Sequence, residues 1–198
     1  KTTVISNLAV TYTTAGKRTL MIDADLRSPG LTRHFNMRGL NGLSRILNST
    51  RPIAESATES IRETGMDGLH VIPCGPKPPN PSELLSGSRL SELIAWADGE
   101  YDQILIDCPP ILAASDASIV GRLVDGLVLV VQPPKNRRKL VMRAVEMLRS
   151  AGVEIVGVIA NRIGNQKDGY GYGYGYGYGY GNSYGYGHDD HEEEGDGL

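Results

Sequence analysis

Short, continuous runs of aliphatic residues recur along the chain and are separated by longer stretches of mixed polarity. Each run has the length of a strand, and none alternates regularly between apolar and polar residues. Continuous apolar runs are typical of strands in a parallel sheet that is covered on both faces. The runs predict strands at Thr19–Asp23, Leu69–Pro73, Gln103–Asp107, Gly126–Gln132 and Glu154–Asn161.

Segments with helical patterns lie between these runs. One of them, Arg137–Ala151, is amphipathic and is followed by Gly152, a favourable helix end. Helices are predicted at Thr2–Ala15, Ser88–Ala97, Asp116–Leu123 and Arg137–Ala151. Strands that alternate with helices predict an α/β fold with a doubly wound, mostly parallel sheet. In such sheets ligands bind outside the carboxyl ends of the strands.

The C-terminal part of the chain differs in composition from the body. It contains the sequence DGYGYGYGYGYGYGNSYGYG at positions 168–187, which holds eight of the ten tyrosines. Glycine at every second position leaves little side-chain surface to bury and raises the entropy of the unfolded backbone. We therefore expect two parts, a folded domain at 1–167 and a disordered tail at 168–198.

Charge is divided unevenly between these two parts. The tail carries seven of the 23 acidic residues and no Lys or Arg, so the body holds 20 basic and 16 acidic residues. The body contains no basic run, and we expect no nucleic-acid partner. Two cysteines are too few for a disulfide framework and indicate a reducing, cytoplasmic setting. The sequence shows no secretory signal and no apolar run of membrane-spanning length.

Three aspartates mark the ends of two predicted strands. Asp23 and Asp107 end their strands, and Asp25 follows two residues after the first of them. A single aspartate at such a position is usually a turn or cap residue, but several carboxylates at one sheet edge repel one another unless a cation is present. Oxygen ligands of this kind suit Mg²⁺, which keeps several of its waters. The pattern predicts a magnesium site.

The opening residues, KTT, precede the first predicted helix. In a P-loop, a Lys followed by Ser or Thr binds phosphates and metal, while loop amides and the helix N-terminus hold the anion. The glycines of such a loop are absent here. Because the first residue is not Met, we expect the chain to be a fragment whose phosphate loop is incomplete. KTT alone has no value as a motif, but KTT followed by the two aspartate motifs is a strong joint signal.

These motifs resemble the catalytic domain of the bacterial tyrosine kinases, a P-loop family that controls capsular and exopolysaccharide synthesis. The resemblance covers roughly residues 1–164 and is carried by KTT, LMIDADLR, LRSPGLTRHF, GLSRIL, PCGPKPPNPSELLSG and ILIDCPP, in the order of the chain. The segment PPNPSELL is the more specific part, because the related partitioning and cell-division ATPases share the aspartate motifs and the fold but not this segment.

The resemblance implies an ATP and Mg²⁺ site in which each motif residue has a role. Lys1 would bind the β- and γ-phosphates, Thr2 would coordinate Mg²⁺, and Asp107 would hold a water bound to the metal. Asp25 would lie in the outer coordination sphere of the metal and take part in catalysis. Asp23 would accept the proton of the tyrosine or orient its hydroxyl.

Other residues are expected to contact the nucleotide. Thr3 directly follows Thr2 in the phosphate-binding segment. Asn161 and Arg162 follow the last core strand, where related ATPases often contact the adenine. Arg27 completes the DxDxR motif, and it either pairs with an aspartate or contacts a phosphate; the sequence leaves both open.

The resemblance also gives the tail a function. Members of this family end in a tyrosine cluster that neighbouring subunits phosphorylate, and glycine spacing lets an acceptor segment lie extended in a catalytic crevice. The expected acceptors are Tyr170, Tyr172, Tyr174, Tyr176, Tyr178, Tyr180, Tyr184 and Tyr186. Without the kinase-like body, a low-complexity linker whose tyrosines drive association would be the simpler interpretation.

The partners implied by the resemblance begin with other copies of the chain, which phosphorylate one another within a homo-oligomer such as a ring. A membrane-spanning chain-length regulator, fused or separate, and a cognate phosphatase complete the set. The expected location is the cytoplasmic, inner face of the cell membrane.

Two other functions remain open at this point. The chain could be a nucleotide-switched ATPase of the partitioning or positioning type, which transfers phosphate to water and ignores the tail. It could also be a catalytically idle partner whose tail is a binding module.

Overall fold

The computed structural model describes residues 1–163, and Lys1–Ile163 form one compact unit. The predicted acceptor tyrosines and the rest of the tail lie outside the described residues. Within the described part, no helix combines the length and the apolar character needed to cross a membrane.

Strands and helices alternate along these residues. The strands are β1 (Thr19–Asp23), β2 (Arg62–Glu63), β3 (Leu69–Ile72), β4 (Gln103–Asp107), β5 (Leu127–Val131) and β6 (Ile155–Ala160). The helices are α1 (Thr2–Thr14), α2 (Gly30–His34), α3 (Leu43–Asn48), α4 (Ile53–Ser60), α5 (Pro81–Ser86), α6 (Ser88–Asp98), α7 (Asp116–Gly121) and α8 (Arg138–Ser150).

Every strand and helix predicted from the sequence is present, with ends that differ by one or two residues. The sequence did not predict β2 or the helices α2 to α5. Three of these helices have only five or six residues, too few to show a helical repeat of apolar positions. The two residues of β2 pair antiparallel with β3 and are equally hard to detect.

The main sheet has the strand order β2-β3-β1-β4, and β1 pairs in parallel with both β3 and β4. The register of β1 and β4 sets Asp23 opposite Asp107. Two of the three motif aspartates are therefore neighbours at the carboxyl edge of the sheet.

In one respect the structure differs from a single continuous sheet. Strands β5 and β6 form a separate two-stranded parallel sheet, and within residues 1–163 neither pairs with β4. Apolar residues of this small sheet are partly exposed, with Val156 at 63% and Val158 at 57%. Parallel strands of this composition are normally covered on both faces, and a two-stranded sheet has little stability of its own.

The central strand β1 is buried on both faces. Leu20 and Ile22 point into an apolar cluster formed with α3, α5 and α6, whereas Met21 points into a second cluster with α1 and α2. All three side chains have no exposed surface. Each buried aliphatic side chain contributes about 1.5–3 kcal/mol to folding. This packing makes β1 a rigid support for Asp23 at its end.

Candidate active site

The centre of the candidate site is the carboxylate pair at the ends of β1 and β4. Asp23 has no exposed surface, and Asp107 is 4% exposed. Burial raises the pKa of each carboxyl above its ordinary value, and the charge of Asp107 adds to the rise at Asp23. Two adjacent buried carboxylates repel each other when both are ionised. Such pairs are typical of sites that bind a cation or carry out catalysis.

Hydrogen bonds hold Asp23 in one orientation. Its Oδ2 accepts from the backbone N–H of Thr32 at 2.8 Å and from the Thr32 hydroxyl at 2.7 Å. From the described part of the chain, its Oδ1 accepts only a longer bond, 3.3 Å, from the N–H of Asp25. These donors favour the ionised carboxylate and offset part of the rise in pKa that burial causes.

The first turn of α1 meets the end of β4. The hydroxyl of Thr2 donates to Oδ2 of Asp107 at 2.8 Å. This bond and the positive charge of Lys1 lower the pKa of Asp107, and so oppose the larger effect of burial. The fold thus brings Asp107 next to Thr2, which is 105 residues away in the sequence, and near Lys1.

Gly30, the first residue of α2, lies against the Thr2 hydroxyl and the Asp107 carboxylate. A Cβ atom at this position would collide with the Thr2 hydroxyl oxygen and would lie 3.3 Å from Oδ2 of Asp107. The backbone of Gly30 does not adopt a left-handed conformation, so the requirement is one of space. The absence of a side chain keeps the surroundings of the Thr2 hydroxyl open.

Asp25 is the third carboxylate of the site and is 6% exposed. Its Oδ1 accepts a hydrogen bond of 2.9 Å from the N–H of Ser28, which fixes the loop after β1. Its negative charge contributes to the raised pKa of Asp107.

The oxygen atoms of Thr2, Asp25 and Asp107, with Lys1 beside them, suit Mg²⁺ and the phosphates of a nucleotide. Within residues 1–163, no group of three or more His, Cys, Asp or Glu residues forms a metal site by itself. The two carboxylates and one hydroxyl of Thr2, Asp25 and Asp107 still fit Mg²⁺, because proteins bind this ion with one or two carboxylates while waters and substrate phosphates fill the remaining positions.

Arg27 is engaged with an aspartate. Its Nε lies 2.9 Å from Oδ2 of Asp116, which has no exposed surface, and its Nη2 donates to the hydroxyl of Ser82 at 2.8 Å. Ser82 in turn donates to Oδ1 of Asp116 at 2.6 Å. Burial alone would raise the pKa of Asp116, but the bonds from Arg27 and Ser82 lower it overall.

The remaining predicted residues lie around the site or beyond the described part. Thr3 is exposed on the first turn of α1. Asn161 and Arg162 follow β6, where the Asn161 side chain accepts from the N–H of Arg162 at 2.9 Å.

Sequence reasoning missed Gly30, Thr32, Ser82 and Asp116. Ser82 belongs to the segment PPNPSELL, and Gly30 and Thr32 belong to LRSPGLTRHF, so both segments were available signals. Asp116 begins a predicted helix and had no such signal. A cavity of about 360 Å³ beside α3 and α4, with Arg45 and Arg51 in its lining, shares no residue with this site.

Comparison with known proteins agrees with the geometry. Residues 1–169 match the ParA family, described as NUBPL iron-transfer P-loop NTPase. The CapB protein of Staphylococcus aureus is 38% identical over 169 residues, which cover 85% of this chain and 72% of CapB. The tyrosine-protein kinase wzc of Salmonella typhi is 41% identical over 170 residues, but these cover 86% of this chain and only 23% of wzc.

A solved structure gives the same result. The kinase domain of the Escherichia coli tyrosine kinase ETK matches with a TM-score of 0.75 at 38% identity, over 86% of this chain and 66% of that chain. The chain belongs to the ParA-type P-loop NTPases and, within them, to the bacterial tyrosine-protein kinases.

Proposed function

We propose that this protein transfers the γ-phosphoryl group of ATP to the tyrosines of its own C-terminal cluster, between subunits, and thereby regulates polysaccharide synthesis or export. The observation that carries the proposal is the grouping of Lys1, Thr2 and Asp107 around one hydrogen bond of 2.8 Å, in a chain that also holds eight closely spaced tyrosines. The family assignment supports the same chemistry.

Each group at the site has a part in this transfer. The tyrosine oxygen attacks the γ-phosphorus, the bond from that phosphorus to the bridging oxygen of ADP breaks, and the tyrosine proton leaves. Lys1 would bind the β- and γ-phosphates, and Thr2, Asp25 and Asp107 would hold Mg²⁺ and its waters. Bound Mg²⁺ would supply charge neutralisation for the phosphates, the main requirement of phosphoryl transfer.

Asp23 is the residue proposed to accept the tyrosine proton or to orient the hydroxyl. The ordinary pKa of tyrosine is about 10, so a carboxylate is a weak base toward it, and positioning matters more than basicity. Asp23 has no exposed surface in the structure. An acceptor hydroxyl can therefore reach Asp23 only when a neighbouring segment moves. The orientation of the Asp23 carboxylate must persist during that movement.

The residues around this centre have supporting roles. Thr3, Asn161 and Arg162 are proposed to contact the nucleotide. For Arg27, the ion pair with Asp116 supports a role in holding the loop after β1 in place, and a phosphate contact would require this pair to open.

The proposed assembly follows from the same chemistry. A tail that is phosphorylated between subunits requires a homo-oligomer, for which a ring is the simplest closed form. We propose that the folded domain at 1–167 and the tail at 168–198 act in this assembly at the inner face of the cell membrane. A membrane-spanning chain-length regulator, fused or separate, and a phosphatase are the further partners, and no nucleic acid is involved.

The experiment is phosphosite mapping of the intact protein after incubation with labelled ATP and Mg²⁺. Label is expected on tyrosines between Tyr170 and Tyr186. Tyr12 and Tyr101, in the folded body, serve as internal controls and should stay unlabelled. Label confined to serine or threonine, or no label on the tail, would reject the proposal.

A second candidate is supported by the match of residues 1–169 to the ParA family. A nucleotide-switched ATPase of this kind would release phosphate into water and would not use the tail. Deletion of residues 169–187 separates the two functions. The switch ATPase should keep its release of phosphate, whereas the kinase should lose most of its incorporated label.

A further inference from the structure

Thr32 lies in α2 and is almost completely buried, with 4% of its surface exposed. Its backbone N–H and its hydroxyl both donate to Oδ2 of Asp23, at 2.8 and 2.7 Å. The same hydroxyl oxygen accepts a bond of 2.8 Å from the N–H of Cys74, which follows β3. One side chain therefore joins the ends of β1 and β3 through α2.

The Thr32 hydroxyl and the two carboxylate oxygens of Asp23 differ in the hydrogen bonds that they can still form. A hydroxyl has one proton to donate, and Thr32 gives it to Asp23. Oδ2 of Asp23 receives two short bonds, which occupy both of its lone pairs. Within residues 1–163, Oδ1 receives only the 3.3 Å bond from Asp25, and it is the oxygen with capacity left for another donor.

A carboxylate on a strand end can rotate about χ2, because this torsion has a broad energy profile. The two bonds from Thr32 remove that freedom, and the bond from Cys74 prevents the Thr32 hydroxyl from turning away. The orientation of Asp23 is therefore set from inside the fold and not by the substrate.

We propose that Thr32 is a positioning residue, which fixes the Asp23 carboxylate so that Oδ1 is the oxygen presented to the acceptor tyrosine. The inference rests on the proposed function, because it requires tyrosine phosphorylation at this site. In this role Thr32 acts through its bonds to Asp23.

The test compares variants of the intact protein for the rate of tail phosphorylation and for the KM of ATP. Thr32→Val keeps the shape of the side chain and removes the hydroxyl. Loss of a hydrogen bond to a charged group predicts a fall in kcat of about ten- to a hundredfold. The KM of ATP should stay within about twofold, because interactions that Thr32 makes act on the chemical step and not on nucleotide binding.

Two comparisons separate positioning from a general effect on stability. Thr32→Ser retains the hydroxyl and should recover most of the wild-type rate. Thr19→Val makes the same chemical change at a buried threonine on the opposite end of β1, whose hydroxyl donates to the Lys17 carbonyl and, within residues 1–163, contacts no residue of the site, and it should leave kcat unchanged. If Thr32→Val fails to fold, Thr32→Ala takes its place.

A double variant tests whether Thr32 acts through Asp23. In the Asp23→Asn background, Thr32→Val should cause no further loss of rate, since coupled residues are not additive. A wild-type kcat in Thr32→Val or Thr32→Ala, a Ser variant as slow as the Val variant, or an additive loss in the double variant would overturn the inference. A wild-type protein that labels no tyrosine would instead reject the proposed function.

Discussion

Replacement of Asp23 by Asn is expected to slow phosphoryl transfer strongly without destabilising the protein. Burial raises the pKa of Asp23 above its unfolded value of about 3.9. A group with a raised folded pKa contributes stability at low pH that is lost as the pH rises through the folded pKa. At pH 7 the ionised carboxylate is therefore a net cost to the fold, and a neutral amide of the same shape removes this cost.

The magnitude follows from two opposing effects. The amide oxygen can keep both bonds from Thr32, but bonds to a neutral acceptor are weaker by about 1 kcal/mol each, a loss of about 2 kcal/mol. The raised pKa shows that burial outweighs these bonds, so the net change favours Asn. A gain of about 1 kcal/mol would raise the Tm by about 2–4 °C for a protein of this size. Phosphoryl transfer should fall by about 10²- to 10⁴-fold.

Asp116→Asn is the matched control of opposite sign. Asp116 is also fully buried, but its bonds from Arg27 and Ser82 lower its pKa overall despite burial. Such a group contributes stability above its unfolded pKa, and this contribution is present at pH 7. The Asn variant should therefore melt below the wild type.

The assay is thermal unfolding at pH 7 in EDTA without nucleotide, followed by phosphorylation with labelled ATP and Mg²⁺. Removal of the metal matters because a bound cation would stabilise the wild type by mass action and hide the effect. If Asp23→Asn melts as far below the wild type as Asp116→Asn does, the bonds from Thr32 outweigh burial and the reasoning is refuted.

The remaining predictions concern two glycines of the fold and two residues of the site. A Cβ atom at Gly42 would collide with the carbonyl oxygen of Pro73, so Gly42→Ala should destabilise the protein by about 1–3 kcal/mol in urea unfolding. Gly99→Ala, at a helix end with an ordinary right-handed conformation, should be neutral or stabilising by up to about 1 kcal/mol. Burial raises the pKa of Asp107, so in the absence of metal the free energy of unfolding should fall as the pH rises above about 4. In Asp107→Asn the free energy of unfolding should depend less on pH, as measured by unfolding curves at a series of pH values. Thr2→Val should weaken Mg²⁺-dependent nucleotide binding in titration calorimetry and leave the Tm of the metal-free protein within about 3 °C, since one part-buried bond is lost.

Local patterns were sufficient for the strands and for the aspartates at their ends. The apolar run before Asp23 identifies a buried strand because burial on both faces requires apolar residues at every position. The run before Asp107 likewise identifies a strand, although four of its five residues are only partly buried in the structure. Parallel strands end at the same edge, so these two carboxylates could be expected near each other before their register was known. The helices α2, α3 and α5 could not be predicted in this way, since they are shorter than two turns and depend on tertiary contacts.

Only the tertiary structure decided how these carboxylates are held. Thr32 and Cys74 are 42 residues apart in the chain, and Arg27 and Asp116 are 89 apart. The sequence located the strands, because each is a run of apolar residues, but it did not decide burial at each position, since Asp116 has no exposed surface and Val156 is 63% exposed. It could not determine which buried donor meets which acceptor, because such a bond depends on the three-dimensional placement of two elements and leaves no periodic pattern in either.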